Sequence, residues 1–248
     1  MLNIKRFLSL TLMAFLVVSA SVAQDSGGRT SDGGTQRQVR PDLTGFKTVY
    51  GSDGLEMRKK TLKDIGEAVA QGNTGDEIYA ALEYMSLEGL KNNVMERGRL
   101  QNNYPEIREL AAEQLGRMGT AKAADLLIQL CNAEQKEEYY VLQKAIKELG
   151  DIGINENDKT VKIILWKVRV YNPRSPDSSI ERVIISAITA LDKLEQKNGG
   201  IKNQEDFREL QTFLDRVSKG HFSRPVQEYA KKVLEEVLRR DAERRQES

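Results

Sequence analysis

The stretches ELAAEQLGRMG (residues 109–119) and KAIKELGDIG (residues 144–153) decide the fold, because L-G-x-(M/I)-G recurs in them 34 positions apart. Aligned on the leucine, Ile107, Ala111, Leu115 and Gly116 correspond to Val141, Ala145, Leu149 and Gly150. Val183, Ala187 and Leu191 keep the same spacing further on, as do Val226, Ala230 and Leu234. Upstream, Met57, Arg58, Ile65 and Gly66 fit in degraded form, with Thr61 at the alanine position. The leucine-equivalent positions are offset by 50, 34, 42 and 43 residues. A spacing of four puts the alanine and leucine on one helix face, where the small side chain lets a second helix approach closely. Self-similarity on this scale means stacked units.

From residue 48 onward, amphipathic segments of helical period follow one another without a convincing β-hairpin turn signal. Capping-box spacings at Thr74/Glu77, Asn103/Glu106 and Ser178/Glu181 mark helix starts. Pro105 and Pro225 stand near first-turn positions, where no intrahelical donor is lost, and Gly119 and Gly153 supply left-handed stops. Between the five repeated helices lie partner helices at roughly 76–90, 121–131, 158–171 and 204–218. Each unit is then a helical hairpin that cannot cover its apolar faces alone, so neighbours stack.

The segments IRELAAEQLGRMG and VLQKAIKELGDIG resemble the first helices of HEAT repeats, especially the bacterial PBS-lyase HEAT-like variety. The likeness rests on (V/I)-x-x-x-A-x-x-x-L-G-x-(I/M)-G: two units match well, two at the apolar positions alone, and the first marginally. Tetratricopeptide repeats share the 34-residue offset, but small residues recur in their second helix, where this chain has Ile128 and Gln135. The unequal offsets fit the looser HEAT or armadillo type. The resemblance implies an all-α fold: an α-solenoid of roughly four to five HEAT-like hairpins whose second helices line a face used for binding proteins.

Residues 1–23 read as a signal peptide: Lys5 and Arg6, an apolar run, and a cleavage site after Ala23. The run is bounded too tightly for a membrane span, which takes about 20 apolar residues. A flexible linker, 24–47, a repeat domain, 48–244, and a charged tail, 245–248, follow. The chain is thus expected to be exported, in the periplasm of a bacterial envelope, with no membrane span once processed. Cleavage removes two of 38 basic residues and no acidic one, leaving 36 against 37 acidic. That balance gives no basic excess for nucleic acid. Cys131, the lone cysteine, forms no disulfide within the chain and reads as a buried apolar residue.

Catalytic chemistry finds little to use. Some HEAT-like proteins hold two irons with several His-Glu pairs, whereas this chain has only His221, which reads as a turn residue. Gly72 and Gly75 lack the lysine and Ser/Thr of a phosphate-binding loop. Adjacent carboxylates at 137/138 and 235/236 lie about 100° apart on a helix and read as solvated. No enzyme activity, metal or cofactor is therefore expected.

DKTVKIILWKVRVY, residues 158–171, carries the candidate site. On a helical wheel Val161, Ile164, Leu165, Val168 and Tyr171 face the core, and Ile163, Trp166 and Val170 lie opposite, bordered by Lys159, Lys162 and Arg169. A helix apolar on two faces is either enclosed or offers a patch to a partner. The candidate protein-binding residues are Lys162, Ile163, Trp166, Arg169 and Val170, beside a Pro- and Ser-rich connection at 171–179. The expected role is a non-enzymatic scaffold or adaptor that binds another protein. A structural subunit of an envelope machine, docking through its linker, and a lyase- or chaperone-like binder of small molecules are the alternatives.

Overall fold

Helix starts at four sites show how the local sequence sets the architecture. The Asp177 carboxylate accepts from the main-chain N–H groups of Ser179 and Ile180, both at 2.9 Å, and the Asn203 amide oxygen accepts from Glu205 and Asp206. These side chains satisfy donors that the first turn leaves orphaned. None of the three expected capping boxes forms. The caps at the first two sites are Gly75 and Tyr104, with no side-chain bond. Asn103 instead accepts from Arg108, and Glu181 accepts from the N–H and hydroxyl of Ser223. In each case another partner, local for Asn103 and distant for Glu181, takes a side chain of the expected box. The expected left-handed stops do form, at Gly119 (φ 65°) and Gly153 (φ 77°).

The computed structural model describes residues 54–91, 93–133, 138–171 and 176–247. The expected signal peptide and linker lie outside them. Nine α-helices occur among the described residues: α1 (Leu55–Ala70), α2 (Asp76–Leu87), α3 (Pro105–Met118), α4 (Ala121–Ala133), α5 (Tyr139–Ile152), α6 (Lys159–Arg169), α7 (Ser178–Lys197), α8 (Gln204–Lys219) and α9 (Arg224–Glu247). Helix α9 takes in the expected tail as far as Glu247, with Arg245 paired to Asp241 at 2.9 Å.

The helices form two rows. In the first, α1, α3, α5, α7 and α9 pack successively; in the second, α2, α4, α6 and α8 do the same, and across the rows α2 packs on α3, α3 on α4, α4 on α5, α6 on α7 and α8 on α9. The core lies between the rows. Ile107, Ala111 and Leu115, then Val141, Ala145 and Leu149, then Val183, Ala187 and Leu191 are wholly buried, so the repeated spacing is the core-facing stripe of the first row. In α9 the stripe drifts: Val233 and Val237 are buried, whereas Leu234 is half-buried. In α1 Met57 is exposed, which accounts for the degraded motif there.

The glycine after the leucine is where one unit seats the next. The residue before the leucine of the following unit lies over it: Gln114 over Gly66, Glu148 over Gly116 and Ala190 over Gly150. The three seats differ in tolerance. A Cβ on Gly150 would stand 2.6 Å from the Ala190 Cα, which is backbone and cannot turn aside. At Gly116 it would meet the end of the Glu148 side chain, and at Gly66 the Gln114 amide oxygen at 2.9 Å. Overpacking costs about 1–3 kcal/mol, while alanine in place of a helical glycine gains about 1 kcal/mol. Gly150→Ala is therefore expected to destabilise, Gly116→Ala to do so less, and Gly66→Ala to be near neutral. Urea denaturation of the three variants checks the order; equal effects would refute the seating argument.

The 50-residue first offset is spent on an excursion between α2 and α3. It contains a hairpin of β1 (Met95–Glu96) and β2 (Arg99–Leu100), turned by Arg97 (φ 49°) and Gly98 (φ 77°). Positive φ at both turn residues is the geometry of a tight two-residue hairpin. The sequence reading expected no hairpin here. Two-residue strands carry no alternating pattern, and the element is held by polar contacts from outside it. The buried Asn102 side chain accepts from the Val94 N–H at 2.9 Å. Arg108 donates to the Glu88 main-chain oxygen and to Asn103, both at 3.0 Å. Glu88 in turn accepts a two-pronged contact from Arg58, 2.9 and 3.0 Å long.

Candidate protein-contact surface on α6

Helix α6 is fixed at its start by a polar knot. The preceding 3₁₀ turn, Glu156–Asp158, has Asn157 and Asp158 in the left-handed region, which asparagine and aspartate tolerate better than most residues. The Asn155 amide donates to Asp158 at 2.8 Å and its oxygen accepts from the Val161 N–H at 3.1 Å. The second Asp158 oxygen accepts from the Asn203 N–H at 2.7 Å, so the start of α6 is tied to the start of α8.

The flanks of the helix are tied as well. Lys159 pairs with Asp125 on α4 at 2.5 Å; Lys162 and Arg169 lie 3.4 and 4.0 Å from Asp206 and Glu209 on α8. Burial pushes the Asp206 carboxyl above its ordinary 3.8, and the nearby Lys162 ammonium opposes that shift without cancelling it. One Asp206 oxygen has no hydrogen bond, since the 3.4 Å approach of Lys162 is an ion pair and not a well-formed bond.

The five expected site residues separate. Ile163 is 9% exposed and belongs to the core with Val161, Ile164, Leu165 and Val168. It departs from the expected outer face because α4 and α8 pack on α6 from both sides, so the buried arc is wider than half the helix. Lys162, Trp166, Arg169 and Val170 remain together on the exposed stripe, at the i, i+4, i+7, i+8 spacing of neighbouring residues. Trp166 is 43% exposed and Val170 70%. The Lys167 stem is buried and its ammonium lies 5.4 Å from the Trp166 ring centroid, near enough for a cation–π contact. Tyr171 turns back and packs edge-on against Tyr139, ring centroids 5.7 Å apart. Of the expected 171–179 connection, residues 172–175 lie outside the described residues.

No catalytic arrangement converges on this stripe: its groups are an indole, an aliphatic chain and cations with carboxylate neighbours. Among the described residues no three His, Cys, Asp or Glu side chains are grouped to hold a metal. His221 is exposed in the turn before α9, and Cys131 is buried. No described helix is long and apolar enough to cross a membrane.

Two curated proteins share sequence with the chain. Nipped-B-like protein of Mus musculus and that of Homo sapiens are each 30% identical to it over 122 residues. The likeness is confined to a segment. It covers 49% of this chain and 4% of each relative. No protein-family model matches the chain, and no solved structure matches it. The weak likeness and the all-helical body are compatible with a HEAT-like helical repeat protein.

Proposed function

We propose that the chain is an exported, non-enzymatic scaffold or adaptor, built as an α-solenoid of four to five HEAT-like hairpins, that binds another protein through the outer stripe of α6. The single observation that carries this reading is the exposure of Trp166 beside Val170 on a helix pinned at its start and both flanks. A rigidly presented indole with an aliphatic neighbour and an arginine is the composition of an interface hot spot, and little ordering entropy is lost when such a surface binds. The repeat-like stacking of hairpins supports the solenoid class.

The test is a photo-crosslinking amino acid placed at position 166 and, as a control, at the exposed Leu238 of α9, in the native envelope. One protein adduct specific to position 166 is expected. Identical adducts at both positions would overturn the assignment. Because Trp166 is half-exposed, Trp166→Glu is expected to change stability by less than about 0.5 kcal/mol. Unfolding of that variant in a thermal melt would place the indole in the core and end its role as a contact.

A further inference from the structure

The excursion between α2 and α3 walls a second surface, away from the α6 stripe. A cleft of about 430 Å³ opens between it and the end of α4, lined among others by Asn93, Leu100, Asn103, Arg108 and Asn132. The wall exists because the first repeat offset is 50 residues, 16 more than the 34 between the next two units. It is built rigidly. Arg108 is almost wholly buried and fixed by Glu88 and Asn103, and Gly89 sits at φ 77° with room for no Cβ beside the Asn102 carbonyl.

We infer that this cleft binds an extended peptide, which adds as a third strand to the outer edge of β2 and pairs its flanking amides with Asn93 and Asn132. Register decides the first part. In the hairpin Met95 stands opposite Leu100, and the Gln101 N–H donates to the Val94 carbonyl at 2.8 Å. Pairing alternates along an antiparallel strand, so the Leu100 N–H and C=O point away from β1. Leu100 is thus both the residue whose main-chain groups point outward from the hairpin and one that lines the cleft, and an outward strand edge is the element to which extended peptides add.

The lining chemistry decides the second part. The Asn93 and Asn132 side chains make no hydrogen bond to another described residue, and each amide offers an in-plane donor and acceptor, the complement of a peptide group. A free anion fits less well, because the Arg108 guanidinium is already committed to Glu88 and Asn103 and the acidic Glu138 also lines the cleft. A glycan fits less well too, since no aromatic ring is among the lining residues on which a sugar face could stack.

The experiment starts with a phage-displayed random peptide library panned on the full chain. The enriched peptide is then synthesised and titrated calorimetrically into three proteins: the parent, the Asn93→Ala/Asn132→Ala double variant, and Trp166→Glu. Loss of two charge-free hydrogen bonds is expected to weaken binding about tenfold in the double variant. Trp166→Glu should bind as the parent does, N-methylation of alternate peptide amides should abolish binding, and saturating peptide should slow hydrogen exchange at the Leu100 N–H about tenfold. Neither asparagine side chain hydrogen-bonds another described residue, so an unchanged melting temperature verifies the fold of the double variant. The inference is overturned if no peptide is enriched, or if the enriched peptide binds the double variant undiminished. It is also overturned if binding is lost with Trp166→Glu, which would put the peptide on α6, or if an oligosaccharide from a glycan array displaces the peptide.

Discussion

Glu88→Ala is expected to cost about 4 kcal/mol, because it removes the buried carboxylate that both prongs of the Arg58 guanidinium bind. Glu88 is 1% exposed, and both its oxygens accept from Arg58, whose side chain is 9% exposed. Burial alone pulls the Arg58 guanidinium down, yet the hydrogen bond and charge of Glu88 hold it above its ordinary value. Without Glu88 the guanidinium stays buried beside the Tyr104 ring, 4.8 Å from its centroid, and loses the carboxylate that accepted from both its prongs. Arg58→Met combined with Glu88→Leu should recover most of the loss, since apolar residues of similar volume often substitute for a buried pair without net cost. Urea midpoints for both singles and the double close the cycle. If Glu88→Ala costs less than about 1 kcal/mol, the pair is a surface pair in solution.

Glu195→Ala comes next, at about 3 kcal/mol. Glu195 is wholly buried on α7 and accepts from Arg240 at 2.6 Å and Arg244 at 2.5 Å, both on α9. Arg240 also donates to Asp192 at 2.6 Å, and this second contact together with partial exposure of both arginines makes the loss smaller than at Glu88. The effect should be local. Hydrogen exchange is expected to accelerate along α9 while α3 and α5 stay protected. Uniform acceleration over all helices would mean that α9 does not open separately. Asp192 stands where the earlier units have glycine, so this last joint of the first row is ionic where the preceding ones are steric.

The helices and the stacking were legible in the sequence because they are fixed by spacing. The stripe Val141, Ala145, Leu149 states directly which face is buried, and Gly119 and Gly153 state where helices stop. The hairpin was not legible, since its strands are two residues long and its supports, Arg58, Glu88 and Arg108, lie 30 and 20 residues apart in sequence. Nor were the caps, where Asn103 turned to Arg108 and Glu181 to Ser223. The candidate site was half legible. A wheel for an isolated helix puts Ile163 with Trp166, but packing by α4 and α8 divides them. The polar cleft left no trace beyond the long first offset, which marks an insertion without saying what it builds.

The three glycine seats also set how the first row resists bending. At Gly150 backbone rests on backbone, so sliding α7 across α5 meets an immediate hard wall. At Gly66 the neighbour is an amide at the end of a flexible side chain, its oxygen without a hydrogen bond, and a groove of about 440 Å³ lies between α1 and α3. A force applied along the row is thus taken up at the two side-chain seats, Gly66 and Gly116, and passed on through the backbone seat between α5 and α7, which makes the row stiffer toward that joint than at its start.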